Sequence, residues 1–287
     1  MPSFPTPAPV SVVLNLPVGD VRLTASERDD TVVRVQPSDS QREQDQQATE
    51  QARVEYADGT LEIRVPKQRG LGMFGTPGSV DVTIDLPAGS RLRADTAIAA
   101  VHGTGRLGEC RVSTATGDVE LDETGPLEVS TAAGAIAVQQ VAGDAAVSTG
   151  SGRIRLGGID GTAVIKNSNG DINVGEVTGS LRAKTANGDI NVGRTGADVT
   201  ASTARGDVRV TGIRRGTAAL STGLGDIEIG VEAGTAARLD VHTRFGAVRN
   251  QMDAADRPEP SDQTAEVRAR TSYGDIVIRR AAPAGLA

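Results

Sequence analysis

The residues best suited to chemistry are aspartates that each follow a glycine and recur along the chain: Asp118, Asp171, Asp189, Asp207, Asp226 and Asp275. Stacked acids can bind Ca²⁺, which takes about six to eight oxygen ligands, and paired acids can hydrolyse glycosidic bonds. Each repeat contributes only one such acid, and Ala135, Arg153 and Ala247 interrupt the series. We therefore interpret these aspartates as turn residues, whose carboxylates accept backbone hydrogen bonds. The pattern disfavours Ca²⁺, and we predict no cofactor.

The aspartates belong to a repeat with a period of 18 residues, as from Gly170 to Gly188. A glycine column defines the repeat: Gly117, Gly134, Gly152, Gly170, Gly188, Gly206, Gly225, Gly246 and Gly274. Three residues before each glycine lies a second column: Thr114, Thr131, Thr149, Asn167, Thr185, Thr203, Thr222, Thr243 and Thr271. An earlier, degenerate unit has Thr96 and Ala99 in these positions, which makes ten units. A fixed period of about 20 residues is typical of a solenoid.

Within a unit, apolar and polar residues alternate, as Leu181, Ala183 and Thr185 do with Arg182 and Lys184. This alternation predicts half-buried strands, and the frequent glycines disfavour helices. The predicted fold class is all-β: a single-stranded β-solenoid (β-helix) of about ten 18-residue units with a β-rich N-terminal cap. Strands of successive units would stack about 4.8 Å apart. The period leaves open whether a turn has three short sides or two flat faces.

We divide the chain into a capping region (1–90), solenoid repeats (91–250), an acidic, proline-containing insertion loop (251–264), and a last unit with a tail (265–287). The candidate strands of the cap are Val10–Leu16, Val21–Ala25, Thr31–Gln36, Ala52–Tyr56, Leu61–Val65 and Val80–Leu86. The polar segment 38–51 is predicted to be either a loop or a short helix. The glycine-rich segment 67–79 is interpreted as a flexible hairpin tip, with a loop that docks a partner or a membrane surface as the alternative.

Composition narrows the classes of partner. The net charge of −7 and an isoelectric point near 5.0 disfavour nucleic acid, which would require a basic surface. No segment approaches the roughly 20 apolar residues of a transmembrane helix, and the N-terminus lacks the pattern of a signal peptide. The single cysteine, Cys110, excludes an internal disulfide and agrees with a reducing compartment. We expect a cytoplasmic protein.

Four motifs extend the repeat pattern: the repeated T-x-x-G-D-[IV]-x-[VIL], as in TANGDINV and TARGDVRV, the opening GDVRLTASERDDTVVRV, the middle TAVIKNSNGDINVGEVTG and the closing AEVRARTSYGDI. Together they resemble a bacterial β-strand-repeat family (domain of unknown function 4097), whose members are often labelled "putative adhesin". The resemblance covers nearly the whole chain and is greatest to cytosolic actinobacterial members. It implies a β-solenoid and names no catalytic residue.

Other reactive residues do not combine into a catalytic group. Cys110 is in register with Leu181 and is interpreted as a small apolar core residue. His102 aligns with Asn191 and His242 with Lys184, in outward-facing positions of distant units. The sequence therefore predicts no Cys–His or Ser–His pair.

Two neighbouring units carry an unusually polar outward face, with two of the three lysines of the chain: Lys166, Asn169, Asp171, Asn173, Lys184, Asn187, Asp189 and Asn191. A dense grid of donors and acceptors at strand spacing could contact a small ligand or a glycan. Ordinary solvated decoration of the repeat is the alternative interpretation. We name these eight residues the candidate contact face.

We predict a non-catalytic binding or scaffold protein in the cytoplasm, not an enzyme. It would act through repeated surface contacts with a protein partner or through self-association of its strands. The alternative hypothesis is a glycan-directed enzyme or lectin-like module on a β-helix. Against it, the sequence shows no distinct acidic cluster and few aromatic residues for stacking on sugars.

Overall fold

The computed structural model describes residues 2–66, 77–252 and 263–281. Most of the segments 67–79 and 251–264, and the tail after residue 281, lie outside these residues, so the predictions on them and the four regional boundaries stay predictions. The chain divides into two compact units, Met1–Ala142 and Gly143–Ala287. The described residues form twenty-five strands and one α-helix, which confirms the all-β fold class.

The first unit contains eleven strands and the helix, in the order β1 (Ser3–Pro5), β2 (Ser11–Ser26), β3 (Asp30–Pro37), α1 (Glu43–Glu50), β4 (Arg53–Ala57), β5 (Thr60–Arg64), β6 (Val80–Pro87), β7 (Arg91–Arg106), β8 (Cys110–Thr116), β9 (Val119–Thr124), β10 (Leu127–Ala133) and β11 (Ile136–Val141). The polar segment 38–51 thus contains a short helix, one of its two predicted forms. Among the described residues, no helix has the length and apolar character needed to cross a bilayer.

The second unit contains only strands among its described residues: β12 (Ala145–Ser151), β13 (Ile154–Ile159), β14 (Ala163–Asn169), β15 (Ile172–Val177), β16 (Leu181–Lys184), β17 (Ile190–Thr195), β18 (Val199–Arg205), β19 (Val208–Ile213), β20 (Gly216–Leu224), β21 (Ile227–Val231), β22 (Thr235–Phe245), β23 (Val248–Asn250), β24 (Gln263–Tyr273) and β25 (Ile276–Arg280).

Each repeat turn supplies two strands, one to each of two parallel stacks. Ala163 of β14 pairs with Leu181 of β16, and Ile172 of β15 pairs with Ile190 of β17. Both pairs are 18 residues apart, which confirms the predicted register. A turn therefore has two strands, a point that the period alone had left open.

The hydrophobic core consists of every second side chain of each strand, those that point into the interior of the turn. In the turn of β14 and β15 these include Ile165, Ile172 and Val177, each 0% exposed. Two exposed residues, Gly175 and Glu176, precede Val177, and the chain bends there so that Val177 returns to the interior. Full burial of such a side chain contributes about 1.5–3 kcal/mol relative to exposure.

A glycine is required at the corner between the two strands of a turn. Gly188 has φ +138°, and a Cβ atom there would lie 2.3 Å from the carbonyl oxygen of Gly170 in the preceding turn. Only a residue without a side chain allows the backbones to approach so closely. The glycine column is therefore a consequence of stacking.

The first long strand, β2, is itself a solenoid turn. Gly19 has φ +145° and pairs with Ala99 of β7, so it belongs to the glycine column. The sequence analysis began the repeats at residue 91 and did not include Gly19 in the glycine column. On its other edge β2 pairs with β5 and β6, which in turn pair antiparallel with β4 and β3. The chain thus inserts its first turn between two later segments.

The end of the second unit is interleaved in the same way. β24 pairs with β20 on one edge and with β22 on the other, and β25 lies in the same way between β21 and β23. The last repeat in sequence, residues 263–280, is therefore stacked between the two repeats that precede it in the chain. Among the described residues, the turn formed by β22 and β23 is the last in space, and we call it the terminal turn.

Candidate functional site

The glycine–aspartate ladder joins neighbouring turns through its carboxylates. Asp189 Oδ1 accepts a hydrogen bond from the backbone N–H of Asp207 at 2.8 Å, and Asp171 Oδ1 accepts one from Asp189 at 3.1 Å. The same bond runs from Ala135 to Asp118, from Asp226 to Asp207, from Asp275 to Asp226 and from Ala247 to Asp275. The interpretation of these aspartates as turn residues is confirmed, with the carboxylate holding the next turn in the stack.

The threonine column supports the same corners from inside the core. The hydroxyl of Thr203 donates to the carbonyl of Gly188 at 3.1 Å, and Thr185 donates to Gly170 at 3.3 Å. Asn167 replaces threonine in one turn, where its Nδ2 donates to Gly170 at 2.9 Å. These side chains are at most 8% exposed. They stabilise the stack and are not presented to solvent.

The ladder acids are the candidate ligands for a metal ion. Within residues 2–66, 77–252 and 263–281, no group of three His, Cys, Asp or Glu side chains is placed to hold a metal ion. The ladder supplies one carboxylate per turn, and each Oδ1 described above is already engaged by a backbone N–H. Indifference to Ca²⁺ stays a prediction that a titration can test.

The asparagines of the candidate contact face form two short ladders. Asn187 Nδ2 donates to Asn169 Oδ1 at 2.9 Å, and Asn191 Nδ2 donates to Asn173 Oδ1 at 3.1 Å. Such amide pairs present aligned donors and acceptors at strand spacing. The structure therefore brings the amides of the two turns together, as the 18-residue register requires.

The eight residues of the face lie on both sides of one corner. Lys166 and Lys184 are paired in register on β14 and β16, whereas Asn173 and Asn191 are on β15 and β17. Asp171 and Asp189 follow the corner glycines and bond the next turn. The face is thus two strips. Asn169 ends β14 and bridges to Asn187, so these two amides lie on the side of the lysines, whereas Asn173 and Asn191 form a separate amide strip on the other stack.

Charged residues that the sequence analysis did not select continue the amide strip. Arg209 Nη1 donates to Asn191 Oδ1 at 3.5 Å, and Arg209 Nε donates to Glu228 Oε2 at 2.6 Å. The hydrogen bond to Glu228 raises the pKa of Arg209 above its ordinary value. Glu228 also contacts Arg279. The 18-residue alignment could have found Arg209 but not Arg279, whose turn follows an irregular insertion.

An arginine-rich cleft of about 390 Å³ lies along the edge of the second unit where β15 and β17 end. Glu232 accepts a hydrogen bond from Arg214 Nε at 3.0 Å and lies 3.9 Å from Arg194 Nε. Arg215 also lines the cleft and donates to the carbonyl of Gly196 at 2.9 Å. Glu232 thus gathers two of the three guanidinium groups around one carboxylate.

An exposed apolar column lies at the corner next to the terminal turn. Tyr273 and Phe245 stack with ring centroids 4.8 Å apart and an interplanar angle of 12°. Leu224 pairs in register with Tyr273 on the other side, and the three side chains are 48–55% exposed. The sequence analysis did not select this column, although Phe245 and Tyr273 each lie two residues after an aligned threonine, Thr243 and Thr271.

The cysteine and the histidines lie apart from these features. Cys110 is 0% exposed, which confirms its interpretation as a core residue. Its burial, aided by Glu109, raises the pKa of the thiol to about 12. His102 Nδ1 lies 3.4 Å from Glu120 Oε2 in the first unit. His242 lies on β22 in the second unit. Neither histidine is paired with Cys110 in the described contacts.

Comparison with known proteins identifies a family. The sequence model described as Toastrack DUF4097 matches residues 11–279, nearly the whole chain. No curated protein matches the chain.

Two solved structures are similar over most of their length. A "putative cell adhesion protein" from Clostridium sporogenes ATCC 15579 is 13% identical, with a TM-score of 0.21, over 96% of this chain and 95% of that one. A "putative adhesin" from Bacteroides fragilis NCTC 9343 is 14% identical, with a TM-score of 0.38, over 97% and 95%. At these values the likeness carries no argument about function.

Proposed function

This chain belongs to the Toastrack DUF4097 family, and from that premise we propose that it is a non-catalytic binding scaffold. The observation that supports the proposal is that the polar side chains form two groups, one bonded between turns and one exposed on the surface. The ladder aspartates and buried threonines are used in bonds between turns. The lysines and amides of the candidate contact face remain on the surface in stacked rows.

Stacked rows suit multivalent contact. Identical side chains repeat at about 4.8 Å, so a partner with its own extended strand can meet several at once. The asparagine ladders keep the amides aligned through hydrogen bonds between turns, which lowers the entropy lost on binding. A protein partner is the proposed ligand of this face.

The test is quantitative capture from a cell extract on the immobilised protein, comparing wild type with the double variant Lys166→Ala/Lys184→Ala. The control is Arg182→Ala, which removes another exposed cation from β16. We expect a specific bound protein to be lost from the double variant and kept by the control. Equal capture by all three proteins would contradict the proposed face.

A lectin-like role is the second candidate, and one observation favours it. Tyr273 and Phe245 form an exposed aromatic pair, and aromatic faces and edges are suited to packing against the apolar faces of sugars. A glycan array would test it with Tyr273→Ala/Phe245→Ala against the control Tyr273→Phe. Glycan binding that is lost in the first variant and kept in the second would support this role over a protein scaffold.

We also propose that the protein works in the cytoplasm. In support, its one cysteine is a buried free thiol, and disulfides are rare in reducing compartments. Fractionation of the native host, with an antibody to the chain, tests the location. Recovery outside the cytoplasmic fraction would contradict it.

A further inference from the structure

We propose that the terminal turn is a self-complementary surface on which β22 of one copy pairs antiparallel with β22 of a second copy, forming a two-fold dimer. This inference rests on the proposed scaffold function and names one of its partners. All of the residues involved lie in the second unit.

The terminal turn exposes side chains that are core residues in every neighbouring turn. Leu239 and Val241 of β22 are only half-buried, whereas Val267 and Ala269, their partners in β24, are 0% exposed. On β23, Val248 is 43% exposed. Within the part of the chain that the structure describes, β22 pairs with β24 alone. An apolar row and a strand edge thus coincide, which is the arrangement that invites another strand.

The backbone groups of this edge are placed for antiparallel pairing. The carbonyl of Gly234 accepts a hydrogen bond from the N–H of Gln263 at 3.0 Å, so even-numbered residues of this segment direct their backbone groups to β24. Successive residues of a strand point their N–H and C=O groups to opposite edges. The open edge therefore presents the groups of the odd-numbered residues Ala237, Leu239, Val241 and Thr243. Those of Thr235 are engaged by the carbonyl of Glu232 and the guanidinium of Arg280.

The side chains of β22 are self-complementary about Leu239. With the two-fold axis at this residue, Ala237 is opposite Val241 of the second copy, and Thr235 is opposite Thr243. Arg238 is then opposite Asp240 of the second copy, and the pair occurs twice. These are non-hydrogen-bonded pairs, whose Cα atoms approach to about 4.5 Å, so the opposite charges meet at close range.

Neighbouring registers lack this match. An axis at Arg238 or at Asp240 would place two like charges directly opposite each other, which is destabilising. Asp240 is free to change partner, because its ion pair with Arg270 is 3.6 Å long and its side chain is 57% exposed. Charge complementarity therefore selects the register centred on Leu239.

The ladder does not favour continued head-to-tail stacking at the terminal turn. Each ladder aspartate offers its carboxylate to the next turn, but the terminal turn has Ala247 in this position, which only donates its N–H to Asp275. A further solenoid turn would find no such acceptor. Two-fold pairing needs none and closes at two copies.

Charge reversal tests the pairing. Sedimentation equilibrium on the full chain should show a concentration-dependent dimer. Arg238→Asp and Asp240→Arg should each raise the dissociation constant about tenfold or more, because two opposite-charge pairs become like-charge pairs. An equimolar mixture of the two variants should dimerise again, as should the double variant Arg238→Asp/Asp240→Arg. Circular dichroism confirms that every variant is folded.

Cross-linking tests the axis. Leu239→Cys should form an intermolecular disulfide under mild oxidation, because opposed Cα atoms of an antiparallel pair lie within about 5.5 Å. The matched control, Val241→Cys, would lie about 14 Å along the strand from its own copy, at about 3.4 Å per residue, and should not cross-link. The native Cys110 is buried and does not interfere.

Several results would overturn the proposal. They are a monomer at all concentrations, a dimer indifferent to both charge reversals, or equal cross-linking of the two cysteine variants. A monomer would show that this edge does not pair with a second copy. None of these results affects the capture test on Lys166 and Lys184, so failure of the dimer and failure of the scaffold function are distinguishable.

Discussion

At the scale of single residues, the polar side chains of this protein divide by the direction they face. Asp189 bonds the backbone of the next turn from outside the corner, and Thr203 bonds the same corner from inside. A carboxylate that is part of the stack has limited freedom to act on a ligand. This is the physical reason for preferring a structural role for the ladder over catalysis.

Removing one ladder carboxylate should weaken the stack without unfolding it. Asp189→Ala leaves the N–H of Asp207 without its acceptor, and we expect the free energy of unfolding to fall by about 1–2 kcal/mol. Asp189→Asn retains a side-chain oxygen and should lose less. Urea denaturation of the three proteins measures the difference. Equal losses in the two variants would show that charge, and not the hydrogen bond, matters at this position.

The thiol of Cys110 should be inert in the folded protein. Burial raises its pKa to about 12, so it stays a neutral thiol at pH 8, and the thiolate is the reactive form. We expect no reaction with a thiol-specific chromogenic reagent at pH 8 until guanidinium unfolds the chain. Rapid labelling of the native protein would mean that the first unit opens readily around β8.

At the scale of elements, the order of the turns is the main finding. The stack places β24 between β20 and β22, so β22 depends on a strand that the chain makes after it. Likewise β2 lies between β7 and the pair β5 and β6. The strands β22 and β23 can therefore complete their pairing only after β24 and β25 have joined the stack. In the same way, β5 and β6 join the stack through β2, which precedes them in the chain.

Deleting residues 263–287 should affect a turn that is not itself deleted. The strands β22 and β23 would lose β24 and β25, which are their pairing partners among the described residues. We expect backbone amides of 235–250 to lose their protection from hydrogen exchange, while those of β16 to β19 keep it. Unchanged protection of 235–250 would contradict the interleaved order.

At the scale of the whole molecule, the charge balance bears on the partners. With a net charge of −7, the chain as a whole disfavours polyanions. Cationic side chains are instead concentrated locally, as at Arg194, Arg214 and Arg215. A protein partner remains the proposal that fits both the net charge and the stacked rows.

Calcium should not change the stability of the protein. The ladder provides a single acid per turn, and its carboxylates already accept backbone hydrogen bonds, so an ion would find too few free oxygens. We expect the same melting temperature in a millimolar excess of CaCl₂ and in chelator. A rise in melting temperature with Ca²⁺ would mean that the ladder binds the ion and would reopen the role of these acids.

The repeat, the strand register within it and the roles of its residue columns follow from the amino-acid sequence alone. A period of 18 residues places Ile172 on Ile190 and Asn173 on Asn191, since parallel stacking repeats the same position in every turn. The corner glycines and the turn aspartates follow from the same geometry. The spacing of residues was sufficient to predict the strand register wherever turns that are consecutive in sequence are also adjacent in space.

Which turns are neighbours at the start of the first unit and at the end of the second is visible only in the folded structure. Insertions break the period before β7 and after β23, and no local pattern states where the chain rejoins the stack. The pairing of Leu224 with Tyr273 and the open edge of β22 both arise from that order. Burial of the apolar rows selects this order of turns. Each edge of a turn pairs with only one strand, so the order is a property of the assembled stack and not of any local segment.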